Sequence, residues 1–318
     1  MRKIFLLCMA AVLMLSACTP GGNGTGNGDE AEYDEVSVFT DSGYSQGFNI
    51  RGLDSTSDSG IVKVVDYFKT GLTPKWQLAQ WWSKYNLKNG EETFDEETSV
   101  YTLEDESKKV QVDLAAGSIT LGLNAGVEYE AANTAAPSRW PHLLLSQDMS
   151  TPMFIGDADK VHASLNFTVT KSQKADPAAA FQGQFAWFIY IKDTNPQSPG
   201  YNNFLWFGLN IYDTTKIYAP STAMQDTAGG PGNYIYSLGS QQFIAGRVRA
   251  GQNVSFEIDI LPHVGEALAK AQSEGFMMGT TVADCSISGT NIGWEIFDRW
   301  DLEITIYDIG VNILKKKQ

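Results

Sequence analysis

Two carboxylates in the segment VSFEIDIL have a spacing that suits acid–base chemistry. In an extended strand, Glu257 and Asp259 point to one face, opposite the apolar Phe256 and Ile258. Two strand rises of about 3.3 Å separate them by roughly 7 Å, within the range of the carboxylate pairs that cleave glycosidic bonds. Such pairs also occur on solvated sheet faces. The spacing therefore predicts either a catalytic pair or a hydrated strand.

The segment SRWPHLLLSQD places aromatic and hydrogen-bonding side chains at the ends of an apolar run. They are Arg139, Trp140, His142 and Gln147. A sugar offers hydroxyl groups at its rim and C–H groups on its face, so its site needs an aromatic ring for stacking and planar polar groups for hydrogen bonds. We predict these four as ligand-binding residues. In the alternative, Trp140 is core and His142 caps a strand end.

Two further segments contribute candidates of the same types. Alternation in NNFLWFGLNIYD puts Trp206, Asn210 and Tyr212 on one strand face, opposite a purely apolar stripe. In GWEIF, Trp294 and Glu295 stand beside each other before a turn-rich link. These five residues complete the predicted ligand-binding set.

The sequence gives little indication of a metal site, a nucleotide site or a serine-hydrolase site. The chain contains no G-x-S-x-G, P-loop, H-E-x-x-H or paired C-x-x-C motif, and His142, His162 and His263 are scattered. Asp157 and Asp159 in IGDADK either bind calcium with loop carbonyls or form an acidic turn. We predict no cofactor, with calcium left open.

The elements that must position these residues are strands. Seven runs alternate with period two between Gly, Asn, Asp and Pro breaks: VQVDLA, SITLGLN, ASLNFTVTK, FAWFIYIKD, FLWFGLNIYD, NVSFEIDIL and DLEITIYDIGVNI. This pattern predicts an all-β fold, an antiparallel β-sandwich. The segment LPHVGEALAKAQSEGF predicts one short helix in a late connection. PKWQLAQWWSKYNL fits a helix or an aromatic strand equally well.

The N-terminus predicts export. Arg2 and Lys3 precede an apolar run, Ile4–Leu15, that is too short to span a bilayer comfortably. The following Leu15-Ser16-Ala17-Cys18 resembles the lipobox of bacterial lipoproteins, which implies that Cys18 carries a lipid. A cleaved signal without lipid and an uncleaved anchor are the alternatives. We predict a signal peptide at 1–17, a Gly-rich and acidic tether at 18–35, and a single domain at 36–318.

Composition limits the partners. With 37 acidic and 23 basic residues the formal charge is −14, which argues against nucleic acid or an anionic lipid surface and favours a neutral ligand. After removal of Cys8 with the signal and lipidation of Cys18, Cys285 alone remains, so the mature domain forms no internal disulfide. A hydrophobic content of 43% supplies the core that must stabilise it instead.

The strand pattern from Val36 to Leu314, and its last strand in particular, resembles concanavalin A-like lectin/glucanase jelly rolls. Together with the lipobox, the chain resembles the surface lipoproteins of glycan-using bacteria of the Bacteroidetes type. The E-x-D-x-E signature of laminarinase-type glucanases is incomplete, because Leu261 stands where the third carboxylate would follow Glu257 and Asp259. The resemblance therefore carries over no catalytic residue.

Three functions remain open. The first is a lipid-anchored protein, at the outer membrane, that binds a polysaccharide or glycoconjugate and assists its capture and use. The second is a glycoside hydrolase or polysaccharide lyase on the same scaffold, with Glu257, Asp259, Glu295 or His142 as acid and base. The third is a structural or adhesive lipoprotein whose partner is another protein.

Overall fold

Strands dominate the computed structural model, which describes residues 32–54, 60–227 and 233–317. The chain divides into two compact units, Met1–Glu32 and Tyr33–Gln318. Of the first unit only Glu32 is described. The predicted signal peptide, Cys18 and most of the predicted tether lie outside the described residues.

The described residues contain seventeen strands, one α-helix and three short 3-10 helices. The strands are β1 (Tyr33–Ser37), β2 (Phe48–Arg51), β3 (Ile61–Val65), β4 (Trp76–Ala79), β5 (Glu91–Asp95), β6 (Val100–Glu104), β7 (Lys108–Asp113), β8 (Ser118–Asn124), β9 (His142–Phe154), β10 (Lys160–Lys174), β11 (Gly183–Asp193), β12 (Phe204–Asp213), β13 (Thr222–Gln225), β14 (Tyr234–Gly239), β15 (Asn253–Asp259), β16 (Cys285–Ile296) and β17 (Trp300–Lys316). The α-helix is α1 (Leu261–Ser273), and the 3-10 helices are Leu87–Asn89, Ser240–Gln242 and Val282–Asp284.

The strands form two sheets. The nine-stranded sheet has the order β13-β14-β12-β11-β16-β9-β4-β2-β3. The eight-stranded sheet has the order β15-β10-β17-β8-β7-β6-β5, and β1 pairs with β17. Pairing is antiparallel except between β12 and β14 and between β2 and β4, which are parallel. The two parallel pairs are a difference from the purely antiparallel arrangement that the sequence predicts.

The two sheets pack face to face around one core, which makes the fold a β-sandwich and confirms the predicted fold class. Trp294 of β16 is fully buried, and its indole Nε1 donates to the carbonyl oxygen of Leu121 in β8 at 2.9 Å. Tyr212 of β12 likewise donates its hydroxyl to Ser172 Oγ of β10 at 2.8 Å. Hydrogen bonds between the sheets thus satisfy polar groups that the core would otherwise bury unpaired.

Each of the seven alternating runs contributes to a strand, and two of them match strand bounds to the residue, β8 and β12. The ambiguous aromatic segment becomes strand β4, followed by a turn at Trp82, whose φ of 55° is left-handed and ends the extended run. Trp76 of β4 is fully buried.

Helix α1 lies between β15 and β16, the late connection in which the sequence predicts it. A proline opens its first turn, and the helix buries Val264, Ala267, Leu268 and Ala271. Gly275 follows the helix with a φ of 89°, a conformation that glycine adopts without strain. None of the helices in the described ranges is long and apolar enough to cross a membrane.

The first strand begins inside the predicted tether. Strand β1 starts at Tyr33 and pairs with the C-terminal end of β17, with Asp34 opposite Lys315. The acidic end of the predicted tether therefore lies beside the C-terminal end of β17, which carries Lys315 and Lys316. The local pattern of these residues predicts a solvated linker, because only the pairing with the C-terminal strand makes Tyr33–Ser37 part of the sheet.

Candidate functional site

The face of the nine-stranded sheet that points away from the eight-stranded sheet, here called the outer face, carries the candidate site. Strand β11 shows the division between its two faces. Its core-facing residues are Phe185, Trp187, Ile189 and Ile191, all fully buried. Its outer residues are Gln184, Ala186, Phe188, Tyr190 and Lys192. The period-two alternation of β11 thus builds the core and the outer face at once.

A pocket of about 450 Å³, here called the aromatic pocket, opens on the outer face. It is lined by Met149, Ser150, Pro152, Tyr190, Lys192, Asn202, Phe204, Trp206 and Ser288. These residues come from β9, β11, β12, β16 and the loop before β12. The pocket has the mixture of apolar walls and a few polar groups that small-ligand sites show.

Three rings form the wall of the aromatic pocket. In the pairing of β11 with β12, Tyr190 stands opposite Trp206 and Lys192 stands opposite Phe204. The ring centroids of Tyr190 and Trp206 are 4.6 Å apart, and those of Phe204 and Trp206 are 5.2 Å apart, both edge to face. Edge-to-face packing fixes each ring by its neighbours, so the wall is preorganised.

A glycine makes room for the Tyr190 ring. Gly289 of β16 is the register partner of Tyr190, and a Cβ atom built on Gly289 would lie 2.7 Å from Tyr190 Cδ2. The ring therefore lies over the glycine backbone. The Tyr190 hydroxyl accepts a hydrogen bond from Asn291 Nδ2 at 3.0 Å. Burial, assisted by the nearby Asp148 charge, raises the pKa of Tyr190, so its phenol stays protonated.

A buried aspartate holds the loop that carries Asn202. The carboxylate of Asp193 accepts a hydrogen bond from Thr280 Oγ1 at 2.6 Å, and its backbone pairs with Asn202 and Asn203. Asn202 itself has a φ of 71°, a left-handed conformation that asparagine tolerates. The loop is thereby fixed at the rim of the aromatic pocket.

A second group of polar residues, here called the Glu295 cluster, lies on the same face and consists of Trp140, His142, Gln184 and Glu295. Glu295 Oε2 accepts hydrogen bonds from Trp140 Nε1 and Gln184 Nε2, both at 3.1 Å, and lies 3.8 Å from His142 Nε2. Gln184 precedes Tyr190 by six residues on β11, so the cluster lies about 20 Å from the aromatic pocket along the strand.

His142 is neutral in the Glu295 cluster. Burial lowers the pKa of His142, and the opposing attraction of Glu295 does not compensate for it. Its Nδ1 lies 2.8 Å from the carbonyl oxygen of Trp140, which can only accept, so Nδ1 carries the proton. The unprotonated Nε2 therefore faces the carboxylate without donating to it.

Aromatic rings enclose the Glu295 cluster. The Trp140 ring stacks on Phe297 with a centroid distance of 4.2 Å, and Trp82 meets Trp140 edge-on at 5.8 Å. Behind Trp82, the fully buried Lys108 ammonium donates to Ser83 Oγ at 2.7 Å and to the carbonyl oxygen of Tyr85 at 2.8 Å. Lys108 thus fixes the turn that presents Trp82.

Three of the predicted ligand-binding residues are structural. Trp294 is a core residue with its indole bonded across the sandwich. Tyr212 also turns toward the core, because a register shift between the Tyr212 and Asn210 pairings interrupts the alternation of β12. Gln147 is buried, and both ends of its amide bond to the backbone of Thr40 at 2.9 Å. Trp294 and Gln147 are buried, the half-buried Tyr212 packs toward the core, and none of the three lines the aromatic pocket.

The remaining predictions are spread over both sheets. Asn210 donates to the Pro220 carbonyl oxygen at 2.7 Å and holds the segment before β13, and Arg139 is exposed. Glu257 and Asp259 lie on β15, an edge strand of the other sheet. Asp259 Oδ1 accepts the backbone N–H groups of Val161 and Leu261 at 3.0 and 3.1 Å.

The carboxylate pair on β15 therefore has structural partners and lies away from the aromatic pocket. Glu257 Oε1 pairs with His162 Nδ1 at 2.8 Å on the exposed surface, while Asp259 accepts the backbone N–H of Leu261, the first residue of α1. The hydrated-strand alternative describes this geometry better than a catalytic pair does.

Sequence reasoning missed most of the aromatic pocket. Trp206 was predicted, whereas Tyr190, Lys192, Asn202 and Phe204 were not. The alternation of FAWFIYIKD already separates Tyr190 and Lys192 from the apolar stripe, and the same test found Trp206 in β12. No comparable signal marks Asn202, because its position depends on the fold of a loop.

The described residues contain no group of three or more His, Cys, Asp and Glu side chains arranged to hold a metal ion. The two aspartates of IGDADK instead face the C-terminal lysines. Asp157 pairs with Lys315 at 2.7 Å, and Asp159 accepts the backbone N–H of Lys316 at 2.7 Å. An acidic turn paired with lysines accounts for this segment.

No protein-family model and no curated protein sequence matches this chain. Solved structures with some similarity include an engineered thermo-stable cellulase derived from a Rhodothermus marinus enzyme, at 14% identity and a TM-score of 0.38, covering 71% of this chain and 96% of that one. A Rhodothermus marinus endoglucanase has 12% identity and a TM-score of 0.37, covering 72% and 97%. A family 12 xyloglucanase from Bacillus licheniformis has 11% identity and a TM-score of 0.39, covering 71% and 97%. Such low scores leave the function to be argued from the site itself.

Proposed function

We propose that this protein binds a glycan on the outer face of the nine-stranded sheet, with the aromatic pocket as the principal contact. The observation that carries the proposal is the pocket wall, in which Tyr190, Phe204 and Trp206 stand beside the polar groups of Lys192 and Asn202. Rings stack on the C–H face of a sugar, and polar side chains bond its hydroxyl rim. The two kinds of contact that a sugar requires are therefore present in one pocket.

Binding without cleavage agrees best with the charges of the pocket. Glycosidases place two carboxyl groups about 5 to 9.5 Å apart across the scissile bond. Among the described residues that line the aromatic pocket, none carries a carboxylate. The carboxylate of Glu295 lies about 20 Å away along β11. Hydrolysis or lyase chemistry thus remains the alternative that the experiment below must exclude.

The test is a glycan-array screen of the purified full-length chain in detergent, followed by calorimetric titration of each hit. We expect Trp206→Ala to weaken binding about 5- to 30-fold, because it removes a stacking ring worth roughly 1 to 2 kcal/mol. The matched control is Tyr307→Ala, since Tyr307 is an exposed ring on the eight-stranded sheet. Thermal melting monitors folding, and Phe204→Ala replaces Trp206→Ala if the latter unfolds.

The outcomes separate the three functions. Saturable binding that Trp206→Ala weakens and Tyr307→Ala preserves supports the glycan-binding proposal. Release of reducing ends or unsaturated products from the same glycans would replace it with an enzyme. An equal loss of glycan affinity in both variants, or no binding to any glycan on the array, would contradict the proposal and favour a protein partner.

We further propose that the protein is exported and lipid-anchored through Cys18, at the bacterial outer membrane. The support is the order of basic residues, apolar run, lipobox-like residues and Gly-rich spacer in the sequence. An anchored binding protein on a Gly-rich spacer would concentrate a polysaccharide at the cell envelope.

A further inference from the structure

The charge of the aromatic pocket differs in sign from that of the chain. The protein carries a formal charge of −14, which by itself favours a neutral ligand. Among the described residues that line the pocket, however, Lys192 is the only charged one. Lys192 thus lines the pocket without an aspartate or glutamate beside it in the lining, although the chain as a whole is strongly acidic. The net charge of the chain does not explain this local positive charge.

Lys192 has no counter-ion of its own. No ion pair of Lys192 occurs in the described parts of the chain. The adjacent Asp193 is fully buried on the opposite face and accepts from Thr280 Oγ1. Asp148 lies on β9, which β16 separates from β11; it accepts from Gln77 Nε2 at 3.1 Å and forms no ion pair with Lys192. The lysine ammonium is therefore available to an anion in the pocket.

The other polar groups at the pocket can also donate hydrogen bonds. Asn202 carries an amide at the rim, and Ser150 and Ser288 carry hydroxyl groups in the lining. Tyr190 keeps its phenolic proton. Donors of this kind match a ligand rich in acceptor oxygens, and a lysine ammonium bonds most strongly to an ionised one.

We infer that the glycan bound in the aromatic pocket is acidic, with an anionic substituent held by Lys192 while its ring stacks on the aromatic wall. This inference rests on the proposed function and names its substrate class. The anion is the carboxylate of a uronic acid or a sulfate ester, since both present ionised oxygens at the rim of a sugar ring. A single lysine neutralises one such charge.

The experiment compares each acidic array hit with chemically matched derivatives of the same polysaccharide. Carboxyl reduction converts a uronic acid into the neutral sugar of the same configuration, and desulfation removes a sulfate ester. We expect removal of the recognised anion to weaken binding about tenfold, the range of a charge-assisted hydrogen bond. Raising the salt concentration weakens binding of the acidic form more than that of its neutral derivative.

Variants assign the effect to Lys192. We expect Lys192→Met to weaken binding of the acidic form about tenfold and to leave the neutral derivative unaffected, while Lys192→Arg retains most of the affinity. Lys88→Met, which removes an exposed lysine from the Leu87–Asn89 turn, is the matched control and is expected to have no effect.

The results distinguish this inference from the proposed function. Equal affinity for acidic and neutral derivatives, or an equal effect of the Lys192 and Lys88 variants, would overturn the inference and leave glycan binding intact. Binding confined to neutral glycans would do the same. Absence of any glycan binding would overturn both. The derivative that loses affinity identifies the anion as carboxylate or sulfate.

Discussion

At the scale of single residues, His142 shows how burial sets chemistry. The imidazole is enclosed by Trp82 and Trp140, and its Nδ1–H donates to a backbone carbonyl oxygen. Protonation would place a charge in this enclosed site, which explains why burial lowers the pKa of His142 even beside the Glu295 carboxylate. The residue therefore stabilises the fold in its neutral form.

The depressed pKa makes stability depend on pH. As the pH falls below about 6.5, the unfolded chain binds a proton at His142 that the folded chain does not, so the free energy of unfolding falls. We expect His142→Gln, which is neutral at every pH, to reduce this loss between pH 7.5 and 5.5, by up to about 1.4 kcal/mol for each pH unit. Urea titrations over this range measure the slope.

Direct observation of the imidazole provides the control. The NMR signals of His142 should titrate below those of a histidine in an unfolded peptide, because the folded site excludes the charge. Identical slopes for the variant and the natural protein, or a His142 titration above the peptide value, would contradict this account.

At the scale of elements, glycines let β16 approach β9 and β11 closely. A Cβ atom on Gly293 would lie 2.1 Å from the carbonyl oxygen of Leu143, its neighbour in β9. That oxygen belongs to the backbone and cannot rotate away. The pairing of β16 therefore depends on the missing side chain, as Tyr190 depends on Gly289.

Gly293→Ala should consequently destabilise the protein by at least about 2 kcal/mol, because the clash must separate two central strands. Gly310→Ala in β17 is the matched control. Its Cβ would lie 3.1 Å from Ser164 Oγ, a hydroxyl that can rotate, and we expect a change of less than about 1 kcal/mol. Chemical denaturation measures both, and equal effects would show that the strand spacing adjusts freely.

At the scale of the whole molecule, the domain and its proposed anchor have separate roles. Residues Tyr33–Gln318 form one compact unit, whose described part has a continuous hydrophobic core between the two sheets. The cysteine in this core, Cys285, is free and buried, so packing and not a disulfide stabilises the described part of the unit. Burial raises the pKa of this thiol to about 12, which keeps it protonated and unreactive.

The proposed anchor predicts a clear fractionation result. We expect Cys18→Ser to move the protein from the membrane fraction to the soluble fraction and to abolish metabolic labelling with a fatty-acid analogue. Cys8→Ser and Cys285→Ser are matched controls, because neither residue is the proposed lipid acceptor, and both should stay in the membrane fraction. Membrane association of the Cys18 variant would contradict the lipoprotein assignment.

The sequence by itself determined the fold class. Seven alternating runs became strands, and α1 formed in the predicted connection, because apolar periodicity reports which side of an element is buried. Alternation also placed Trp206 on the outer face. It failed at Tyr212, where a register shift reverses the faces of β12, and a shift of this kind has no signature in a single strand.

The tertiary structure decided which of the polar and aromatic candidates meet. Trp294 and Trp206 both stand in alternating strand segments. Trp294 nevertheless lies in the core, whereas Trp206 lines the aromatic pocket, because strand order determines the neighbours of each. Tyr190, Lys192 and Asn202 come together only through the pairing of β11 with β12 and the loop held by Asp193. Local pattern determines which face a side chain occupies, whereas long-range pairing determines what lies beside it.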